Sequence, residues 1–97
     1  MSMQQNGLAK LIEECGEVLQ IAGKMIQYPD LQLPVVHERL FKLHPDGTNL
    51  RVHLEEELGD LYAALNFVMK KLQLNEVIVR VRSEEKLALF KQWDKEV

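Results

Sequence analysis

The sequence predicts an all-α fold: a short helical bundle forming one domain over residues 1–97, completed by association between copies. Three observations carry this reading. Apolar residues recur at three- and four-residue steps in two long stretches, the period of one helix face. Proline, glycine and asparagine stand at the ends of those stretches, where helices stop and start. A chain of 97 residues leaves room for one hydrophobic core, not two.

The first helix runs from Leu8 to Ile26, with Leu8, Leu11, Ile12, Cys15, Val18, Leu19, Ala22, Met25 and Ile26 on its apolar stripe. Tyr28-Pro29-Asp30 ends it, because the residue before a proline is pushed out of the α region. Pro34 suits the first position of a short helix carrying Val35, Val36, Leu40, Phe41 and Leu43. His44-Pro45-Asp46-Gly47 is a turn by its residue types, and Thr48 or Asn49 can cap the next helix.

The second long helix spans about Leu50 to Leu72. Its stripe is Leu54, Leu58, Leu61, Leu65, Val68 and Leu72, and its middle, residues 61–69, is apolar nearly all round. Such a helix is covered on several sides. Asn75 can cap a last helix running towards Trp93. The β-branched run Val77–Arg82 would also suit a strand; helix is preferred, since a lone strand would have no partner.

An apolar fraction of 46% with 28% charge is that of a well-solvated globular chain. The net charge of −3 argues against binding a nucleic-acid polymer, which asks for a basic face. Cys15 is the only cysteine, which excludes an internal disulfide and a cysteine metal cage; its place in the pattern predicts a small buried hydrophobe. Residues 1–7 lack a signal peptide's apolar core, and no apolar run reaches the ~20 residues that span a bilayer. The expected location is cytoplasmic, away from membranes.

Two segments share one local pattern. Glu14-Cys15-Gly16-Glu17 lies in the first long helix and Glu57-Leu58-Gly59-Asp60 in the second. A three-residue step sets each pair of acids on one helix face. Glu14 and Glu57 fall at the borders of their apolar stripes, with Glu17 and Asp60 farther out. If the helices pack stripe to stripe, four carboxylates converge at the rim of the core. Such a set of hard oxygen donors suits Mg²⁺ or Mn²⁺. Each pair abuts a glycine, at a cost of about 1 kcal/mol relative to alanine; Gly16 and Gly59 either permit close helix approach or are simply tolerated.

Glu13-Glu14-x-x-Glu17, with Glu57-x-x-Asp60 on the next long helix, resembles the MazG-like family of all-α nucleoside triphosphate pyrophosphohydrolases, a superfamily that includes dimeric dUTPases and dCTP pyrophosphatases. The likeness covers roughly Leu8 to Leu72, and Leu8–Glu17 is similar to the single-domain, phage- and bacterial-type members. It implies Mg²⁺-dependent hydrolysis of nucleoside triphosphates to monophosphate and pyrophosphate. It further implies metal ligation by Glu14, Glu17, Glu57 and Asp60, with Glu13 close by, so that Glu13 or Glu14 would orient or deprotonate the attacking water. Family members assemble as dimers or dimers of dimers. Several relatives carry a lysine, an asparagine and a basic residue on the last helix; the matching positions here are Arg80, Glu84 and Lys86, and Glu84 departs from the pattern.

Lys24, two turns beyond Glu17, is a further candidate phosphate partner. His37, His44 and His53 have no metal-ligand spacing among themselves. Phe90 and Trp93 read as core or interface. Ile21, Ala63 and Phe67 stand outside the main stripes, and one chain has few elements to cover them, which predicts a dimer or tetramer. The reading set against an enzyme is a helical interaction module with a solvated acidic face.

Overall fold

Three long helices and one short 3₁₀ turn make up the computed structural model of the chain, which describes residues 6–32 and 43–96. Helix α1 is Leu8–Gln27, the 3₁₀ turn is Pro29–Leu31, α2 is Leu50–Lys71 and α3 is Glu76–Glu96. There is no strand among the described residues, so the stretch 77–82 is helical. The short helix expected from Pro34 to Leu43 falls almost wholly outside the described residues.

The helix ends obey their local chemistry. Tyr28 closes α1 with its N–H on the Lys24 and Met25 carbonyls, and Pro29 opens the 3₁₀ turn. The Asn49 side chain accepts from the N–H groups of Arg51 and Val52, satisfying two of the amides that a helix start leaves without partners. Asn75 does the same for Val77 and Ile78 at the start of α3. Between α2 and α3, Gln73 takes a left-handed conformation (φ 53°). Its N–H reaches the Lys70 carbonyl and that of Leu74 reaches Met69, the paired bonds of a Schellman stop.

Helices α1 and α2 pack antiparallel. At one end of this hairpin Ile21, Met25, Leu31 and Leu50 form a buried core, with Tyr28 and Leu54 against it. At the other end Gly7, which precedes α1, lies on Phe67 and Val68 of α2, and Ala64 is buried one turn before Val68. Polar bonds tie the connection down. Gln32 donates to the Met25 carbonyl, and Arg51 donates to the Gln32 carbonyl at 2.6 Å. The 44–48 turn is closed by Asp46, which accepts from Thr48 N–H and pairs with His44 at 2.9 Å and Lys24 at 3.6 Å. These partners, the Thr48 bonds foremost, hold the Asp46 carboxyl far below the ordinary carboxylate range. His44 stands edge-on to Tyr28 at 4.9 Å.

The helices meet on faces rotated from the expected stripes. Of the expected α1 stripe Leu8, Leu11, Val18, Ala22 and Met25 are buried or half-buried, with Glu14 and Ile21 between them; Ile12, Leu19 and Ile26, spaced by seven residues, are 65%, 72% and 73% exposed. Ile21, expected on an uncovered face, is in the core, and Cys15, expected to be buried, is exposed. On α2 the covered line is Leu50, Leu54, Leu61, Ala64 and Val68, while Leu58, Leu65 and Leu72 are exposed. The physical reason is that α1 carries two apolar faces and the hairpin covers only one. A Cβ at Gly16 or Gly59 would meet nothing within 4 Å, so neither glycine serves close helix approach.

Helix α3 leaves the hairpin. It is exposed along its described length, Lys86 alone being half-buried, and Phe90 and Trp93 touch each other at 5.4 Å in the open. The radius of gyration is 16.6 Å, against about 13 Å for a compact domain of this size. No helix among the described residues is long and apolar enough to cross a membrane.

Gly7 has a φ of +85°, where a side chain is strained, and a Cβ there would collide with the Phe67 ring. Gly7→Ala is therefore expected to cost of order 1–3 kcal/mol. Thermal unfolding checks this: an unchanged melting temperature would mean that the Gly7–Phe67 contact does not close the hairpin.

Candidate metal centre

The antiparallel register sets the first acidic pair against the second. Glu14 and Glu17 lie one turn apart on α1, as do Glu57 and Asp60 on α2. Each of the four offers a carboxylate oxygen, and these oxygens all lie within 4.8 Å of one another. The convergence expected from the two patterns is present. It lies between the two apolar ends of the hairpin, with Glu14 and Glu57 inward as expected: Glu14 is only 8% exposed and the Glu57 side chain 12%. Glu17 is half-buried and Asp60 exposed.

This placement dictates the electrostatics. Burial pushes the Glu14 carboxyl above its ordinary 4.5, and the charges of Glu17 and Asp60 push it further. Glu57 is raised first by its hydrogen bond with Glu17, then by burial and by the Glu17 charge, while His53 pulls the other way. Oε2 of Glu14 and Oε2 of Glu57 are buried with no hydrogen-bond partner. Buried polar atoms are nearly always paired, and a cation, or a proton shared with Glu17, would satisfy two such oxygens in one all-oxygen cluster. The donor set is of the kind Mg²⁺ and Mn²⁺ take, and it lacks the nitrogen and sulfur ligands of softer metals.

Beside the cluster lies an open groove of about 390 Å³ lined by Lys10, Glu14, Asp60, Ala63, Ala64 and Phe67. A neighbouring recess of about 430 Å³ is lined by Ala9, Lys10, Glu13 and Phe67. Glu13 thus stands next to the four rather than among them, exposed and paired with Lys10 at 3.1 Å. Lys24 is engaged with Asp46 in the turn. Arg80 and Lys86 are on α3, outside the hairpin that builds the cluster, and neither lines the groove.

Two residues beside the cluster escaped the sequence reading. His53 Nε2 lies 3.1 Å from Glu57 Oε1, one turn earlier on α2. Lys10 precedes Glu13 by three residues and Glu14 by four, and reaches the groove. In both cases the signal was an i,i+3 or i,i+4 pairing with an acid already singled out. No family model matches the chain, and no curated relative or solved structure matches it either.

Raised carboxyls have a sign in stability. The folded protein keeps protons on Glu14 and Glu57 that the unfolded chain has released above about 4.5. Their contribution is full below that pH and is lost as pH rises through the raised values. In chelator, stability should therefore drop across that window, and Glu14→Gln, which cannot ionise, should flatten the drop. Asp46 works in the opposite sense at lower pH and is common to both proteins. Melts of the pair across pH 4 to 8 check this; superimposable pH profiles would show that Glu14 is not held protonated.

Proposed function

We propose that the chain is a Mg²⁺-dependent nucleoside triphosphate pyrophosphohydrolase of the MazG-like type, releasing nucleoside monophosphate and pyrophosphate. The observation that carries this is the meeting of four carboxylates, two of them with buried, unpartnered oxygens, at the positions for which the resemblance implies metal ligands. Glu14, Glu17, Glu57 and Asp60 would hold the cation, Mn²⁺ being an alternative occupant. When bound, Mg²⁺ supplies positive charge that offsets charge developing on the phosphates and lowers the pKa of an attacking water.

The remaining roles belong to side chains. Glu13, beside the four and exposed, or Glu14 within them, accepts the proton of the attacking water. Lys10, on the groove wall, offers a phosphate partner. Lys24 reaches a phosphate only by leaving Asp46. Arg80 and Lys86 do not line the groove, so a role for them at the phosphates calls on an approach of α3, from this copy or another. A solvated acidic face, as an interaction module would carry, is disfavoured by the burial of Glu14 and Glu57.

The same reading includes a homo-oligomer, dimer or tetramer. The open faces are Ile12, Leu19 and Ile26 on α1 and the apolar residues of α3. Apolar side chains left exposed in such number suggest faces that another copy covers.

Incubation with mixed deoxynucleoside triphosphates should release pyrophosphate in Mg²⁺ and not in chelator. Glu57→Gln should abolish release, by 100-fold or more on the order of a lost metal-site group, with helical circular dichroism unchanged. Wild-type turnover in that variant would refute the site. Light scattering should give a dimer or tetramer; a monomer at micromolar concentration would refute the assembly.

A further inference from the structure

His53 takes no part in the four-carboxylate set, yet it is the one described side chain outside that set hydrogen-bonded to one of its members. Its backbone N–H donates to the Asn49 carbonyl at 3.0 Å, closing the first turn of α2. That turn is itself capped by the Asn49 side chain and seated on Leu50, which is 1% exposed. The imidazole therefore stands on a backbone fixed from both sides. One turn on, its Nε2 meets Glu57 Oε1 at 3.1 Å. Towards an ionised Glu57, the form that would ligate a cation and that only accepts hydrogen bonds, the imidazole donates through Nε2–H.

The consequence lies in the other oxygen. The terminal torsion of a glutamate is broad and nearly two-fold, so a free carboxylate rotates readily. Glu57 faces Glu14, Glu17 and Asp60 across less than 4.8 Å, and their like charge drives it to turn away. With Oε1 tied to His53, that motion is opposed, and Oε2, buried and without a partner, is the atom left open to a cation.

We propose that His53 is a positioning residue of this centre, holding the Glu57 carboxylate in the orientation that presents its Oε2. The proposal rests on the reading of the four carboxylates as a Mg²⁺ site. A helix-stabilising i,i+4 pair is the plain alternative; it would contribute to the melting temperature and leave metal affinity unmoved.

Reach separates the two. Glutamine places an amide nitrogen three bonds from Cβ, as histidine places Nε2; asparagine places it two bonds away and falls short. Calorimetric titration of the full chain with MgCl₂, without nucleotide, should show His53→Ala and His53→Asn weakened by about 10- to 100-fold, the usual effect of losing a hydrogen bond to a ligating carboxylate. His53→Gln should bind much nearer to wild type. Circular dichroism on all three, with Asn as the second disabling variant, guards against a folding defect in either. If His53→Ala and His53→Asn bind Mg²⁺ as wild type does while Glu57→Gln does not, the positioning role falls and the centre stands. If His53→Gln is as weak as His53→Ala, the hydrogen bond is not what positions Glu57. If wild type binds neither Mg²⁺ nor Mn²⁺, the centre itself falls, and His53's role with it.

Discussion

Four carboxylates held within 4.8 Å of one another, between two apolar contacts, are the constraint on which the rest of this structure turns. Like charges at such separations repel, and two of these acids are largely removed from water, which strengthens the repulsion. Something must hold them together. On one side Ile21, Met25, Leu31 and Leu50 close the hairpin; on the other, Gly7 sits on Phe67 and Val68. The apolar ends act as clamps around a polar middle, and the raised carboxyls of Glu14 and Glu57 are the residual sign of the conflict. A bound cation would relieve that conflict, which is why the arrangement supports the metal-site proposal.

The hairpin also accounts for the polar contacts around the connection. Gln32, Arg51, Asp46 and Lys24 bridge the C-terminal end of α1 to the start of α2 and the turn before it. They fix the register that sets Glu14 and Glu17 opposite Glu57 and Asp60. A slip of one helical turn would part the pairs by about 5.4 Å, so register here is a property of the site as much as of the fold. Helix α3 contributes nothing to it. Capped by Asn75 and turned off by the Schellman stop at Gln73, it projects with its apolar residues uncovered.

Much of this was legible in the residues. Pro29, Asn49 and Asn75 act locally, through backbone torsion and capping bonds, and a local cause can be read from a local sequence. The acidic steps were legible for the same reason: three residues of helix fix which carboxylates are neighbours. What misled was the choice of face. Leu19, Ile26, Leu58 and Leu65 look like core by composition, but beside the expected Met25 and Val68 the hairpin buries Ile21, Leu50 and Ala64. Both faces of α1 are apolar, and which one the chain's own second helix covers depends on tertiary register, not on periodicity. Cys15 went with the wrong face. His53 has no metal-ligand spacing to the other histidines and follows no glutamate by three residues; its partner, Glu57, lies four residues on. Gly16 and Gly59 flank open space, and nothing in the structure explains them.

Function here depends on whether the cluster takes a cation. Thermal melts of the wild type with and without Mg²⁺, beside Asp60→Asn and a control at exposed Glu55, test that without relying on turnover. A ligand that binds only the folded state at a hundredfold excess over its dissociation constant stabilises by about 2.7 kcal/mol, roughly 10 °C or more for a chain of this size. A four-carboxylate cation site predicts that shift in the wild type and in Glu55→Gln, and a much smaller one in Asp60→Asn, whose metal-free melting temperature is no lower than that of the wild type. Equal shifts in all three proteins, or none in any, would contradict it.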